Sequence, residues 1–299
     1  MNKEGSATRD ESADLNHANP GQWIELSHSK VGPFLTRKVF LSPEKVRIIW
    51  RSREQRKCYN RLQGSCRNTW WAPTAISWWI GILFALGSSA FMLGSVPAYA
   101  TWVGVSKDNL TFFIGSIFFT SAAFLQYLEV AATAWSPGGG FISQVSKRKW
   151  QPLLVEVHRI DWWAVVIQLI GTLCFNVSTF HALTAGAGVS ESNTLVWRPD
   201  LYGSICFLLS SYLAWVEVCH KWGAVKLRLI SWWVVAVNLL GSVAFGVSAI
   251  ASYKLPSGTM VNPTINNVET FIGAGCFFIG GLLLLPERAS LMKVKLLST

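Results

Sequence analysis

The sequence predicts an all-α polytopic membrane fold of six transmembrane helices arranged as three tandem two-helix hairpins. Three observations carry this: six long apolar segments free of Lys and Arg, a short motif present once in each, and a chain-wide shortage of charge. Of 299 residues, 51% are hydrophobic and only 14% charged, whereas soluble domains carry about 25% charged residues. The mean hydropathy is +0.34. The motif is G-[S/T/A]-x-x-F. It reads Gly87-Ser88…Phe91, Gly115-Ser116…Phe119, Gly171-Thr172…Phe175, Gly203-Ser204…Phe207, Gly241-Ser242…Phe245 and Gly273-Ala274…Phe277. Positions four apart share one face of a helix, so each segment presents the same small-then-large notch.

Residues 1–35 are polar, rich in Ser, Asn and Asp, and are expected to lack fixed structure. They contain no apolar stretch of the kind a cleavable signal needs, so the first membrane helix is expected to direct insertion. Residues 36–75 form a basic juxtamembrane segment. Within it, Val39-Phe40-Leu41, Ser42-Pro43-Glu44-Lys45 and the alternation Val46, Ile48, Trp50 suggest a β-hairpin. Arg51, Arg53, Arg56, Lys57, Arg61 and Arg67 then run toward the membrane, where anionic lipid headgroups are the expected partner. No aromatic interleaving or nucleic-acid-binding motif accompanies them, and no nucleic-acid partner is expected.

The apolar segments lie near 77–97, 110–130, 161–184, 201–219, 231–253 and 268–286. About 20 residues of helix span roughly 30 Å, the thickness of the hydrocarbon core. Hairpin repeats are assigned to 76–130, 160–219 and 230–288, with a cytoplasmic loop at 131–159 and a tail at 289–299. Each repeat opens on a Trp pair (Trp78-Trp79, Trp162-Trp163, Trp232-Trp233), reaches its first motif Gly nine residues later, and closes on a glutamate fourteen residues after its second. Matched offsets of this kind point to internal triplication. Units of two helices all insert with one polarity, so a pseudo-threefold arrangement about the membrane normal is expected. Of the 26 Lys and Arg, all but Lys107, Arg198 and Lys254 fall on the side of the termini, so both termini are expected in the cytoplasm and the protein in a plasma membrane.

The six motif glycines, Gly87, Gly115, Gly171, Gly203, Gly241 and Gly273, are expected to let helices pack closely, with the aromatic residue filling the complementary gap. Cys174, Cys206 and Cys276, three residues after a motif Gly, read as small packing residues; no Cys/His spacing indicates a metal or disulfide framework. A candidate polar site comprises Glu129, Glu217, Glu287, Gln168, Asn176 and Asn238. A residue fourteen positions from Gly is turned about 40° from it, so the three glutamates point toward the packing face at the cytoplasmic helix ends. They read either as headgroup-level carboxylates paired with His220, Lys221 or Arg288, or as a carboxylate ring that attracts cations. Gln168 and Asn238 stand three residues before their motif glycines; with Gln126, Asn176 and His181 they are the few polar groups at membrane depth. No catalytic constellation and no cofactor-binding motif is present.

The paired pattern, together with Trp197-Arg198-Pro199-Asp200-x-Tyr202-Gly203-Ser204, resembles the YrhK-like family of small bacterial membrane domains. The resemblance spans roughly residues 76–288 and implies a multi-pass fold in a bacterial plasma membrane; it implies no activity and no catalytic residues. Size and basicity also resemble mitochondrial carriers, but the P-x-[D/E]-x-x-[K/R] motif is missing from the ends of the first, third and fifth helices, which leaves architectural analogy alone. The expected function is a channel or carrier-like protein for a small solute. The alternatives are a membrane scaffold or sensor, and a membrane-embedded enzyme acting on a lipid or isoprenoid substrate. A homo-oligomer is compatible with each.

Overall fold

In a computed structural model, the structure describes residues 24–41, 47–53, 70–132, 158–184 and 188–296. Residues 1–23 of the unstructured tail expected over 1–35, residues 42–46 of the expected hairpin, Arg56, Lys57, Arg61, Arg67 and residues 133–157 of the loop assigned to 131–159 lie outside the described residues. Among the described residues, six helices are long and apolar enough to cross a membrane: α1 (Ile76–Gly94), α2 (Val105–Ala132), α3 (Ile160–Thr184), α4 (Arg198–Cys219), α5 (Ile230–Ala251) and α6 (Pro263–Leu296). Each packs chiefly on its neighbours in sequence, and α6 returns to α1, so the six close into a ring. Large apolar side chains such as Leu86, Ile170, Leu240, Ile250 and Ile279 face outward. A water-facing protein would not carry such a surface all round; a lipid-facing one does.

The motif builds the interior position by position. Its glycines face one another within each hairpin: a Cβ on Gly87 would come within 2.9 Å of the Gly115 carbonyl, and one on Gly241 within 2.9 Å of that of Gly273. Gly171 and Gly203 oppose each other at 3.1 Å by the same measure, with the Cys206 Cβ beside Gly171 and the Cys276 Cβ beside Gly241. The second motif residue (Ser88, Ser116, Thr172, Ser204, Ser242, Ala274) is buried in every helix. Adjoining hairpins are joined by hydroxyls one and eight residues after the motif Gly, Ser116 to Thr179 at 3.0 Å and Ser242 to Ser211 at 2.8 Å. The ring closes where Gly81 of α1 meets Gly281 of α6.

The six motif phenylalanines meet on the axis. Phe91, Phe175 and Phe245 form one triangle, with ring centroids 6.0–6.4 Å apart. Phe119, Phe207 and Phe277 form a second, at 5.4–6.3 Å. Within each hairpin the two rings lie 5.2–5.5 Å apart. All nine edges of a trigonal prism are therefore aromatic contacts of favourable spacing, and they form the heart of the core.

The amino-terminal segment differs from expectation. A three-stranded antiparallel sheet, β1 (Ile24–Val31), β2 (Phe34–Leu41) and β3 (Arg47–Arg51), stands in strand order β1-β2-β3. Residues 24–35 thus belong to a sheet, not to an unstructured tail. Gly32, at φ +59, makes the tight β1–β2 turn. The sheet seals onto the bundle end where α4 finishes and α3 begins: Val31, Ile160 and Val216 share a buried cluster, and the Leu35 amide donates to the His158 carbonyl at 3.0 Å. Helix α6 also departs from expectation. It continues through Pro286 to Leu296, well past the apolar stretch, although an interior Pro costs the helix one backbone hydrogen bond.

Candidate functional site

Three buried carboxylates mark the bundle end under the sheet. Glu129, Glu217 and Glu287 are 4%, 2% and 0% exposed. A charged carboxylate so deeply buried needs a partner. Two of the partners come from the residues just after β3. The Ser52 hydroxyl donates to Glu217 Oε1 at 2.5 Å. The Arg53 guanidinium forks onto both oxygens of Glu287, Nε to Oε1 at 2.6 Å and Nη2 to Oε2 at 3.1 Å. Adjacent residues of one strand end thereby grip two different helices. A fourth buried acid, Asp161 at the start of α3, receives the Arg159 guanidinium at 3.0 and 2.6 Å.

Above this latch lies a polar chamber of about 40 Å3, room for roughly three waters. Gln126 of α2, Gln168 of α3, Ser210 and Ser211 of α4 and Asn238 of α5 line it, with Arg53 at one end and Phe84 and Phe277 among the apolar walls. The Ser210 hydroxyl donates to the Ala164 carbonyl at 2.8 Å and lies 3.4 Å from Gln168 Oε1. Asn238 Oδ1 is buried with no hydrogen-bond partner among the described residues. It presses on Gly280, where an added Cβ would come within 2.1 Å of it; only glycine leaves space for that carboxamide.

Of the sequence-derived candidates, Gln168 and Asn238 share this chamber, and Glu287 meets it through Arg53. Asn176 does not: its Nδ2 donates to Thr120 at 2.8 Å in the wall between α2 and α3. Glu217 does not line the chamber either. Glu217, Gln168 and Asn176 therefore do not line one pocket, as a membrane-embedded enzyme built on them would need. Ser52, Arg53 and Gln126 complete the arrangement; Arg53 and Gln126 were visible as a basic-run residue and a membrane-depth polar group, but nothing in the spacing marked Ser52.

Beside the latch, α4 ends on His220 in the left-handed conformation, φ +56. Its amide donates to the Val216 carbonyl at 2.8 Å and its Nδ1 is buried without a hydrogen-bond partner among the described residues. Burial first, then the positive charges of Lys226, Arg51 and Arg37, pull its pKa from the ordinary 6.5 to about 4. Arg37 and Arg51 face each other across β2 and β3, a like-charge pairing that is unfavourable by itself. Three cations thus act on a histidine held neutral at this corner. Among the described residues, no cluster of His, Cys, Asp and Glu is placed to hold a metal ion.

No family model, no curated protein and no solved structure matches this chain.

Proposed function

We propose that this integral membrane protein is a non-conducting scaffold or sensor, in which a bundle of three repeated hairpins presents a basic amino-terminal sheet at the cytoplasmic face. One observation carries the reading: the six motif phenylalanines touch along all nine prism edges and fill the axis on which a pore would run. The excess of Lys and Arg on the side of the sheet supports its cytoplasmic placement and an anionic headgroup surface as its neighbour. Kinship with YrhK-like bacterial membrane domains is part of the same proposal. Proteoliposomes carrying the purified chain should be as tight to ions and small neutral solutes as protein-free vesicles. Saturable flux of any solute in a broad panel would overturn the reading.

A second reading, a carrier-like protein for a small solute, is favoured by the polar chamber beneath the sheet. A carrier seen closed would hold its site on one side of the axial block. It requires the phenylalanine prism to part, and flux that appears only when the sheet is deleted would favour it over the scaffold.

A further inference from the structure

We propose that the corner between β2 and the end of α4 binds the phosphate of an anionic lipid headgroup through Arg37 and His220. Arg37 is half-buried, its Nε is shielded from solvent, and its side chain makes no hydrogen bond or ion pair among the described residues. A guanidinium drawn that far from water without an anion is costly. The sheet does not supply one. Glu25, the one acid among its described residues, is engaged by Lys38 at 2.9 Å and His28 at 3.2 Å, and Lys38 points to the opposite face of β2 from Arg37. The surroundings of Arg37 add positive charge instead: Arg51 stands opposite it on β3, and Lys226, Arg51 and Arg37 all act on the His220 imidazole. Arg51 has further contacts and Lys226 donates to the Val218 carbonyl at 3.0 Å, so these two supply potential while Arg37 and His220 supply donors. His220 Nδ1 is shielded, and the neutral ring can carry its proton on Nε2. A guanidinium fork and an imidazole N–H together suit the several oxygens of one phosphate. The segment after His220 points to a lipid as the source of that phosphate. Trp222, stacked on Tyr212 of α4, and Val225 and Leu227 are each more than half exposed, interleaved with Lys221, Lys226 and Arg228. Apolar and basic side chains mixed in this way at the end of a membrane helix belong at headgroup depth. The site sharpens the headgroup contact of the scaffold reading and rests on it, yet binding and flux are read separately. A chain that binds and conducts keeps the site and loses the scaffold; a tight chain that does not bind does the reverse.

The test uses the full-length chain in phosphatidylcholine nanodiscs carrying increasing fractions of phosphatidic acid, whose terminal phosphate is fully exposed. Phosphatidic acid should raise the thermal midpoint of the native chain saturably, and Arg37→Gln should weaken that binding about tenfold. Arg37→Lys, which keeps the charge and loses the fork, should fall between the two. Arg228→Gln removes an equal charge from an exposed position on the neighbouring loop and should weaken binding less than about twofold. In phosphatidylcholine alone R37Q should be as stable as the native chain or more so, because Arg37 has no protein anion to lose and opposes Arg51. Equal losses in R37Q and R228Q would mark a diffuse basic surface and overturn the site. A lower midpoint for R37Q in phosphatidylcholine, or failure to recover it folded, would reveal a structural role for Arg37 and overturn the site as well. Soluble inorganic phosphate should leave the midpoint unchanged; a saturable shift equal to that of the lipid would overturn the assignment to a headgroup.

Discussion

At the scale of single residues, the latch is a pair of long-range polar contacts in a dry place. Removing one member of a buried, forked ion pair leaves the other charged and unpaired, at a cost of about 3–5 kcal/mol. Glu287→Gln should therefore lower the thermal midpoint strongly, and Glu287→Gln combined with Arg53→Gln should cost less than the sum of the two single changes. A double-mutant cycle by thermal unfolding measures that coupling. His220 gives a pH signature. Its folded pKa of about 4 lies below its ordinary 6.5, so the unfolded chain binds the extra proton first as pH falls. Stability from this group is present in full above about pH 6.5, declines as pH drops toward 4, and declines no further below that. His220→Asn keeps a side chain tolerant of the left-handed backbone; it should flatten the pH dependence of the midpoint in that window. The inward turn of the three glutamates follows from their offset to the motif Gly. Their partners could not be read the same way, because Ser52 and Arg53 lie 165 and 234 residues away and helical periodicity carries no information over such separations.

At the scale of elements, the glycine notch sets how closely helices approach. Gly241→Ala places a Cβ within 2.9 Å of both the Gly273 carbonyl and the Cys276 Cβ, whereas a Cβ at Gly246 on the same helix meets nothing within 4 Å. G241A should therefore destabilise by about 1–3 kcal/mol through overpacking. G246A should be neutral or stabilise by up to about 1 kcal/mol from helix propensity; unfolding of both variants in detergent gives the comparison. Helix positions were legible because six long apolar runs free of Lys and Arg can span lipid only as helices or a closed barrel, and about 20 residues per run selects the helix. Strand β1 was not. Its sequence Ile24-Glu25-Leu26-Ser27-His28-Ser29 alternates only over its first residues, and register shifts after Glu25 and Ser29 break the two-residue period that would have signalled it. The continuation of α6 past Pro286 was hidden for the opposite reason: hydropathy marks where the membrane ends, not where the helix does.

At the scale of the whole molecule, the repeated motif was legible as helix packing, while its product on the axis was not. The notch predicts that each phenylalanine fills a gap beside a glycine; it does not say that six of them converge. Convergence needs the ring order of the helices, which follows from chain connectivity and closure at Gly81 and Gly281. Phe207, 1% exposed and in contact with Phe119, Phe175 and Phe277, should be the costliest single truncation: Phe207→Ala is expected to lose about 3 kcal/mol or more, read as a fall in thermal midpoint. The polar chamber is bounded by Phe277 of this aromatic block on one side and by Arg53, just beyond β3, on the other.

The central claim is that the amino-terminal sheet is docked on the bundle end through Ser52 and Glu217, and it can be measured directly in membranes. In a chain whose native cysteines are replaced, Ser52→Cys and Glu217→Cys are treated with a short bifunctional thiol reagent, and the loop between α2 and α3 is then cut by protease. The account predicts that the two fragments stay covalently joined, and that either single-cysteine chain separates. Separation of the fragments from the double-cysteine chain, with both thiols shown to be modified, would contradict it.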